Sequence, residues 1–220
     1  MDMTTGPARP QAILDAHRVF IGVITPSGNT VVERVTLAIL RHFPEVSAHF
    51  SRTPVFGSSD PFPEGYDLDG MLGAAGLLAH AGPDVICWNG SKGASIGLAH
   101  DRDLCARVTD ATGIPATSSM LAIDGLLRPR GALRVGVVSP YDAAYHGKMV
   151  AMLGREGYAC IGSAHAGLRD NLSYARTPPE TIRAMVRSVA AAGPDVILTI
   201  CTNFPAAPLV AELEDEVGVP

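Results

Sequence analysis

The hexapeptide Ala-Gly-Pro-Asp-Val-Ile occurs twice, at residues 81–86 and again at residues 192–197, 111 positions further on. Two other pairs run in the same order: Gly22-Val-Ile-Thr-Pro26 resembles Gly136-Val-Val-Ser-Pro140, and Gly113-Ile-Pro115 resembles Gly218-Val-Pro220. Their offsets, 114 and 105, bracket the first, so the chain reads as two similar halves with small insertions. Repeats of solenoids run to about 20–50 residues, which this period far exceeds. Two domain-sized halves facing one another remain.

Each half alternates strands with helices, the pattern of parallel sheets flanked by helices. In the first half, 18–130, the run over 18–25 is continuously apolar, as in a strand covered on both faces. Pro26-Ser-Gly-Asn-Thr30 breaks it, and Thr30 to Glu33 has capping-box spacing for a helix to about 41. A short strand over 47–50 leads into a Pro-rich irregular stretch, 51–65, of the length that lids have. A helix over 67–81, a buried strand over 84–88, a Gly/Ser loop over 89–97, a helix near Asp101 and another over 118–127 complete this half. The second half, 131–220, repeats the plan: strand 133–138, loop 139–141, helix to 156, strand 158–161, loop to 177, helix 179–191, strand 196–200 and helix 206–217. The fold class expected is α/β, two pseudo-symmetric half-domains with mostly parallel sheets and the active site in the cleft between them. The first half continues beyond Gly113-Ile-Pro115 by a strand and a helix; the second stops at Pro220, so its end is expected to be truncated or unusual. Residues 1–17, polar and Pro-rich, read as a mobile leader.

Ligands of open α/β sheets bind beyond the carboxyl ends of the strands. Four loops should therefore meet in the cleft: 25–30, 89–92, 139–141 and 201–203. In register at 111, Cys201 stands opposite Gly90, Thr202 opposite Ser91 and Asn203 opposite Lys92. A cysteine at the end of a buried strand lies near free backbone N–H groups and can be activated. Gly90 should leave open space and an N–H across from it. Cys87, Cys105 and Cys160 read as residues of the fold, with no CxxC and no metal-ligand spacing among cysteines and histidines.

Charge narrows the ligand. With 17 basic and 22 acidic residues, net −5, there is no Lys/Arg run able to follow a phosphate backbone, so a nucleic-acid partner is not expected and a small molecule is. No apolar run reaches the roughly 18 residues of a membrane span, and the start has no signal-peptide pattern, which points to the cytoplasm. A homo-oligomer is compatible with the sequence without being required by it.

Pro26-Ser-Gly-Asn-Thr30, Ser139-Pro-Tyr141, Asp170-Asn171 and Cys201, with the two-half layout, resemble the aspartate/glutamate racemase superfamily, in particular its maleate cis-trans isomerase and arylmalonate decarboxylase branch. The resemblance implies a cofactor-free enzyme acting on a small dicarboxylic acid. Two-base or cysteine-nucleophile members carry one cysteine from each half, whereas here Gly90 fills the first place. Gly90-Ser91 with a single second-half cysteine, and Pro63-Glu-Gly-Tyr-Asp67, resemble the decarboxylase; Pro26-Ser-Gly-Asn-Thr30 and Asn171 look more like the isomerase. The expected reaction is decarboxylation of a substituted malonate, with maleate isomerisation or racemisation as the alternative. Cys201 would protonate an enediolate held by Ser91, Tyr141 and loop N–H groups. Ser27, Asn29, Asn171, Thr202 and Asn203 would bind substrate, Tyr66 would wall the pocket, and Lys92 would either meet a carboxylate or face solvent. Gly93-Ala-Ser95-Ile-Gly97 fits G-x-S-x-G and keeps a serine hydrolase open, although it does not directly follow a strand. A noncatalytic acid-binding protein is the remaining alternative.

Overall fold

The computed structural model describes residues 19–55 and 60–220; the expected leader, 1–17, with residue 18 and residues 56–59, lies outside the described residues. Strands β1 (Val19–Pro26), β2 (Val46–Thr53), β3 (Val85–Trp88) and β4 (Ala116–Ser118) form one parallel sheet in the order β2-β1-β3-β4. Strands β5 (Arg134–Tyr141), β6 (Ala159–Leu168) and β7 (Val196–Thr199) form a second, in the order β6-β5-β7. Helices α1 (Val32–Leu40), α2 (Leu68–Ala79), α3 (Gly93–Ile96), α4 (Leu98–Thr112) and α5 (Ser119–Leu127) accompany the first sheet. Helices α6 (Ala143–Arg155), α7 (Asn171–Ala175), α8 (Pro179–Ala190) and α9 (Val210–Val217) accompany the second. Both central strands are buried as two-sided coverage demands, with Ile24 in β1 and Val135, Val137 and Val138 in β5 at 1% exposure or less.

The repeated hexapeptide is a device for starting a sheet. Asp84 Oδ2 accepts the Phe20 N–H at 2.7 Å while its own N–H donates to Phe20 O; Asp195 does the same with Arg134 at 2.9 Å. A Cβ on Gly22 would meet Pro83 and Ile86 at 3.2 Å, and one on Gly136 would meet Pro194 and Ile197 at 3.3 Å. Proline and isoleucine of each copy thus pack closely on the glycine of the neighbouring central strand, where a larger residue would be crowded. The Ile86 N–H donates to Pro115 O, and the Ile197 N–H to Pro220 O, so the third pair of matching segments also holds equivalent places.

One core cluster is shared between the halves. Ala94, Leu98 and Met120 of the first half cluster with Val135, Val137 and Met149 of the second, and α3 packs on α6. Among the described residues no helix is long and apolar enough to cross a membrane.

Three local expectations change. The start of α1 is not held by a Thr30–Glu33 box: Asn29 Oδ1 accepts the N–H groups of Val31 and Val32, both at 2.9 Å, and Glu33 pairs with Arg52. An asparagine inside the loop reaches the free helix donors first. Strand β5 continues through 139–141 because β6 runs to Leu168 and pairs Tyr141 with it, so 139–141 is strand end rather than loop. The expected 162–177 loop shrinks to a turn plus α7, capped by Asp170, which accepts the Ser173 N–H at 2.9 Å.

Candidate active site

A cavity of about 500 Å³ opens between the carboxyl ends of the two sheets. All four expected loops reach it, with Pro26 and Asn29, Gly90 to Lys92, Tyr141, and Cys201 to Asn203 in its wall. Cys201 is the one non-glycine among the described residues with positive φ, 156°, a backbone state costing on the order of 1–3 kcal/mol that surrounding structure must impose. Its thiol lies against the Tyr141 hydroxyl and the backbone N–H groups of Asn203 and Phe204, which favour the thiolate; burial outweighs them and pushes its pKa up to about 11. Cys201 therefore stands in the cavity as a protonated thiol at neutral pH.

Tyr141 joins the halves. Its hydroxyl and the Ser91 hydroxyl are hydrogen-bonded at 3.0 Å, and burial holds its pKa well above the ordinary tyrosine value. Four residues on, Tyr145 repeats the link with Ser95 at 2.9 Å. Tyr141 packs at 4.7 Å between ring centroids from Tyr145 and 5.2 Å from Tyr174.

The space expected across from Cys201 is filled. A Cβ on Gly90 would lie 2.2, 2.5 and 2.7 Å from three atoms of the Trp88 indole. Residues i and i+2 leaving a strand point to one side, and at position 90 only glycine lets the indole lie over the backbone.

The asparagines stitch the loops together. Asn29, 1% exposed, donates through Nδ2 to Thr202 Oγ1 at 2.9 Å. Asn203, 2% exposed, accepts the Thr30 N–H at 2.9 Å and donates to Asn171 O at 2.6 Å. Lys92 is neither free nor turned to solvent: Nζ meets Asp60 at 2.5 Å and donates to Phe62 O at 2.6 Å, tying down the 60–65 stretch. Lys148 pairs with Glu64 at 2.8 Å and Arg169 with Asp142 at 3.1 Å. Among the described residues, every cation lining the cavity thus already has a carboxylate of the protein.

Ser27 and Tyr66 stand off the cavity wall. Ser27 Oγ accepts the Val55 N–H, and Tyr66 is buried with its hydroxyl donated to Asp101 at 2.6 Å. Ser95, 1% exposed, donates to Lys92 O while bonded to Tyr145, so the G-x-S-x-G serine is a link between halves without a place in the cavity wall. Sequence reasoning missed Trp88, Tyr145, Tyr174 and Arg169. Two of these had a signal: Trp88 by alternation with Gly90, and Tyr145 because Ser91/Ser95 and Tyr141/Tyr145 share a spacing of four.

A family model described as arylmalonate decarboxylase matches residues 48–220. The chain belongs to the arylmalonate decarboxylase/maleate isomerase family. Family members lie on both sides of the division. A maleate isomerase of Nocardia farcinica is 30% identical over 212 residues, 91% of this chain and 83% of that protein. An arylmalonate decarboxylase of Bordetella bronchiseptica is 27% identical over 163 residues, 72% of this chain and 68% of that protein. Among solved structures, a cysteine-to-serine variant of the Nocardia maleate cis-trans isomerase, carrying a covalently bound succinylcysteine intermediate, superposes with a TM-score of 0.80. It is 26% identical, with 92% of this chain and 86% of that one covered. The chain is an enzyme of this family, and its two parallel sheets match the family's structures.

Proposed function

We propose that this enzyme is a cofactor-independent decarboxylase of a substituted malonate-type dicarboxylic acid. The observation that carries the reading is the single protonated thiol of Cys201 facing a glycine and an indole instead of a second cysteine. A succinylcysteine forming in a relative that has lost one cysteine needs another thiol, ionised to attack. Here, among the described residues, Cys201 is the one cysteine in the cavity wall, and its surroundings favour the acid form.

In the proposed reaction one carboxylate of the substrate leaves as CO2, and the electrons of the broken C–C bond pass into the remaining carboxylate as an enediolate. Ser91 and Tyr141, whose hydroxyls adjoin, donate to that oxyanion, the kind of stabilisation that usually does most to lower a barrier of this type. The Cys201 S–H then gives its proton to the α-carbon, and solvent returns one to the sulfur. The leaving carboxylate is not held by a free cation, since Lys92, Lys148 and Arg169 are engaged. An unpaired ammonium beside that group would stabilise the ground state and oppose loss of charge.

Phenylmalonate in D2O tests this. CO2 release with a single deuterium at the α-carbon, abolished in Cys201→Ala, is expected; no CO2 release, or undiminished turnover by the variant, overturns it. The second reading, maleate isomerisation, is supported by the Nocardia relative and carries its own outcome: fumarate formed from maleate without CO2.

A further inference from the structure

Trp88 ends β3, and in the 111-residue register its counterpart on β7 is Thr199. In the cavity wall the first half presents Trp88 and Gly90 and the second half Cys201, whereas Thr199 lies outside that wall, so the indole has no counterpart there from the other half. A large ring two residues before the loop covers the place that a side chain at 90 would take.

The ring is also held. Its Nε1–H donates to the Tyr66 hydroxyl at 3.3 Å, with the two rings edge to face at 5.9 Å. Tyr66 in turn donates to Asp101, a fully buried carboxylate that also receives the Ser118 hydroxyl. Gly93 presses on that carboxylate and leaves no room there for a side chain. Trp88 itself is 4% exposed, and it is in the cavity wall. Nothing in the decarboxylation described above uses this chain of contacts, yet it fixes one wall of the site.

Resting on that reading, we propose that Trp88 is a specificity-determining residue. Its indole closes the face of the substrate α-carbon turned away from Cys201, so that one thiol delivers the proton from one side and no group of the first half can reach the other. Tyr66 and Asp101 are positioning residues for the ring. The site accepts diacids whose far face can lie against an aromatic plane, and the indole, together with the glycine, is what keeps the product a single enantiomer.

The test uses the fact that Trp88 is the only tryptophan of the chain, so indole emission reports this wall alone. In the full-length protein, phenylacetate and α-methylphenylacetate, which cannot lose CO2, are expected to quench or shift that emission, whereas Tyr66→Phe is expected to blunt the response by freeing the ring. Gly90→Cys alone is expected to lower Tm by about 3–10 °C through overpacking, and to leave α-proton exchange of the aryl acid in D2O at background. Trp88→Ala combined with Gly90→Cys should raise that exchange about 100-fold over either single variant, the gain typical of one added acid–base group, and give a racemic product. Gly90→Cys that keeps the wild-type Tm and racemises by itself would overturn the proposal, as would emission indifferent to saturating ligand in a protein that binds it by calorimetry. If the double variant fails to fold, the emission and the Gly90→Cys result still decide. Failure of the wild type to release CO2 from arylmalonates would count against the decarboxylase reading only, since emission and Tm do not depend on turnover.

Discussion

Raising the pH separates the two chemistries open to Cys201, because they need opposite forms of one group. Burial pushes the thiol pKa up to about 11, against the hydrogen bonds from Tyr141 and the N–H groups of Asn203 and Phe204 that pull it down. At that value about one site in ten thousand is thiolate at pH 7, and about one in a hundred at pH 9. A proton-donating thiol is then almost fully in its working form across this span, so kcat/KM for CO2 release should stay flat from pH 7 to 9 and decline as pH approaches 11. A nucleophilic thiolate would become about 100-fold more abundant over the same two units, and kcat/KM would climb with a slope near one. The assay is initial-rate CO2 release from phenylmalonate across pH 7–9 at constant ionic strength, with maleate loss followed in parallel. Phenylmalonate is fully ionised there and maleate nearly so, so substrate titration adds little to either slope. A rising profile would refute the protonated-donor reasoning.

Other perturbations test the architecture. Asn29→Ala removes a buried side chain that accepts two helix N–H groups and donates to Thr202; about 2–4 kcal/mol of stability should go, read as a lower Tm. Gly136→Ala places a methyl 2.3 Å from Val189 Cγ1 and should cost about 1–3 kcal/mol, while Gly73→Ala, with nothing within 4 Å in helix α2, should gain about 0.4–1 kcal/mol; denaturant titration compares them. Lys92→Met strips Asp60 of its partner at the mouth of the cavity and leaves an unpaired negative charge facing a dianionic substrate. KM should rise about tenfold, and the rise should shrink with added salt.

How much of this was legible in the sequence depends on the range of the forces involved. The hexapeptide at 81–86 and 192–197 announced the duplication because three of its residues act on the adjacent strand: Asp84 and Asp195 on the strand-start N–H, Pro83 and Pro194 with Ile86 and Ile197 on a facing glycine. Such contacts are repeated wherever the unit is repeated, so identity of sequence carries identity of structure. Two parallel sheets, Cys201 at a strand end and the gathering of four loops followed from this alone. Strand β6 was underestimated because its outer half alternates exposed and partly buried residues and is held by pairing with β5, which 158–168 by itself does not specify.

The tertiary structure decided what each side chain does once there. Asn29, Asn203 and Lys92 carry groups able to hold a carboxylate, and the fold engages them with partners 173, 173 and 32 residues away. Gly90 promised room that an indole two residues earlier takes, a matter of one ring orientation fixed by Tyr66 and Asp101. The state of the Cys201 thiol is likewise collective, since burial outweighs the local N–H groups that its position at a strand end supplies. Backbone pairing is local and repeats with the sequence, whereas occupancy, hydrogen-bond commitment and desolvation are sums over distant neighbours and exist only after the halves have closed.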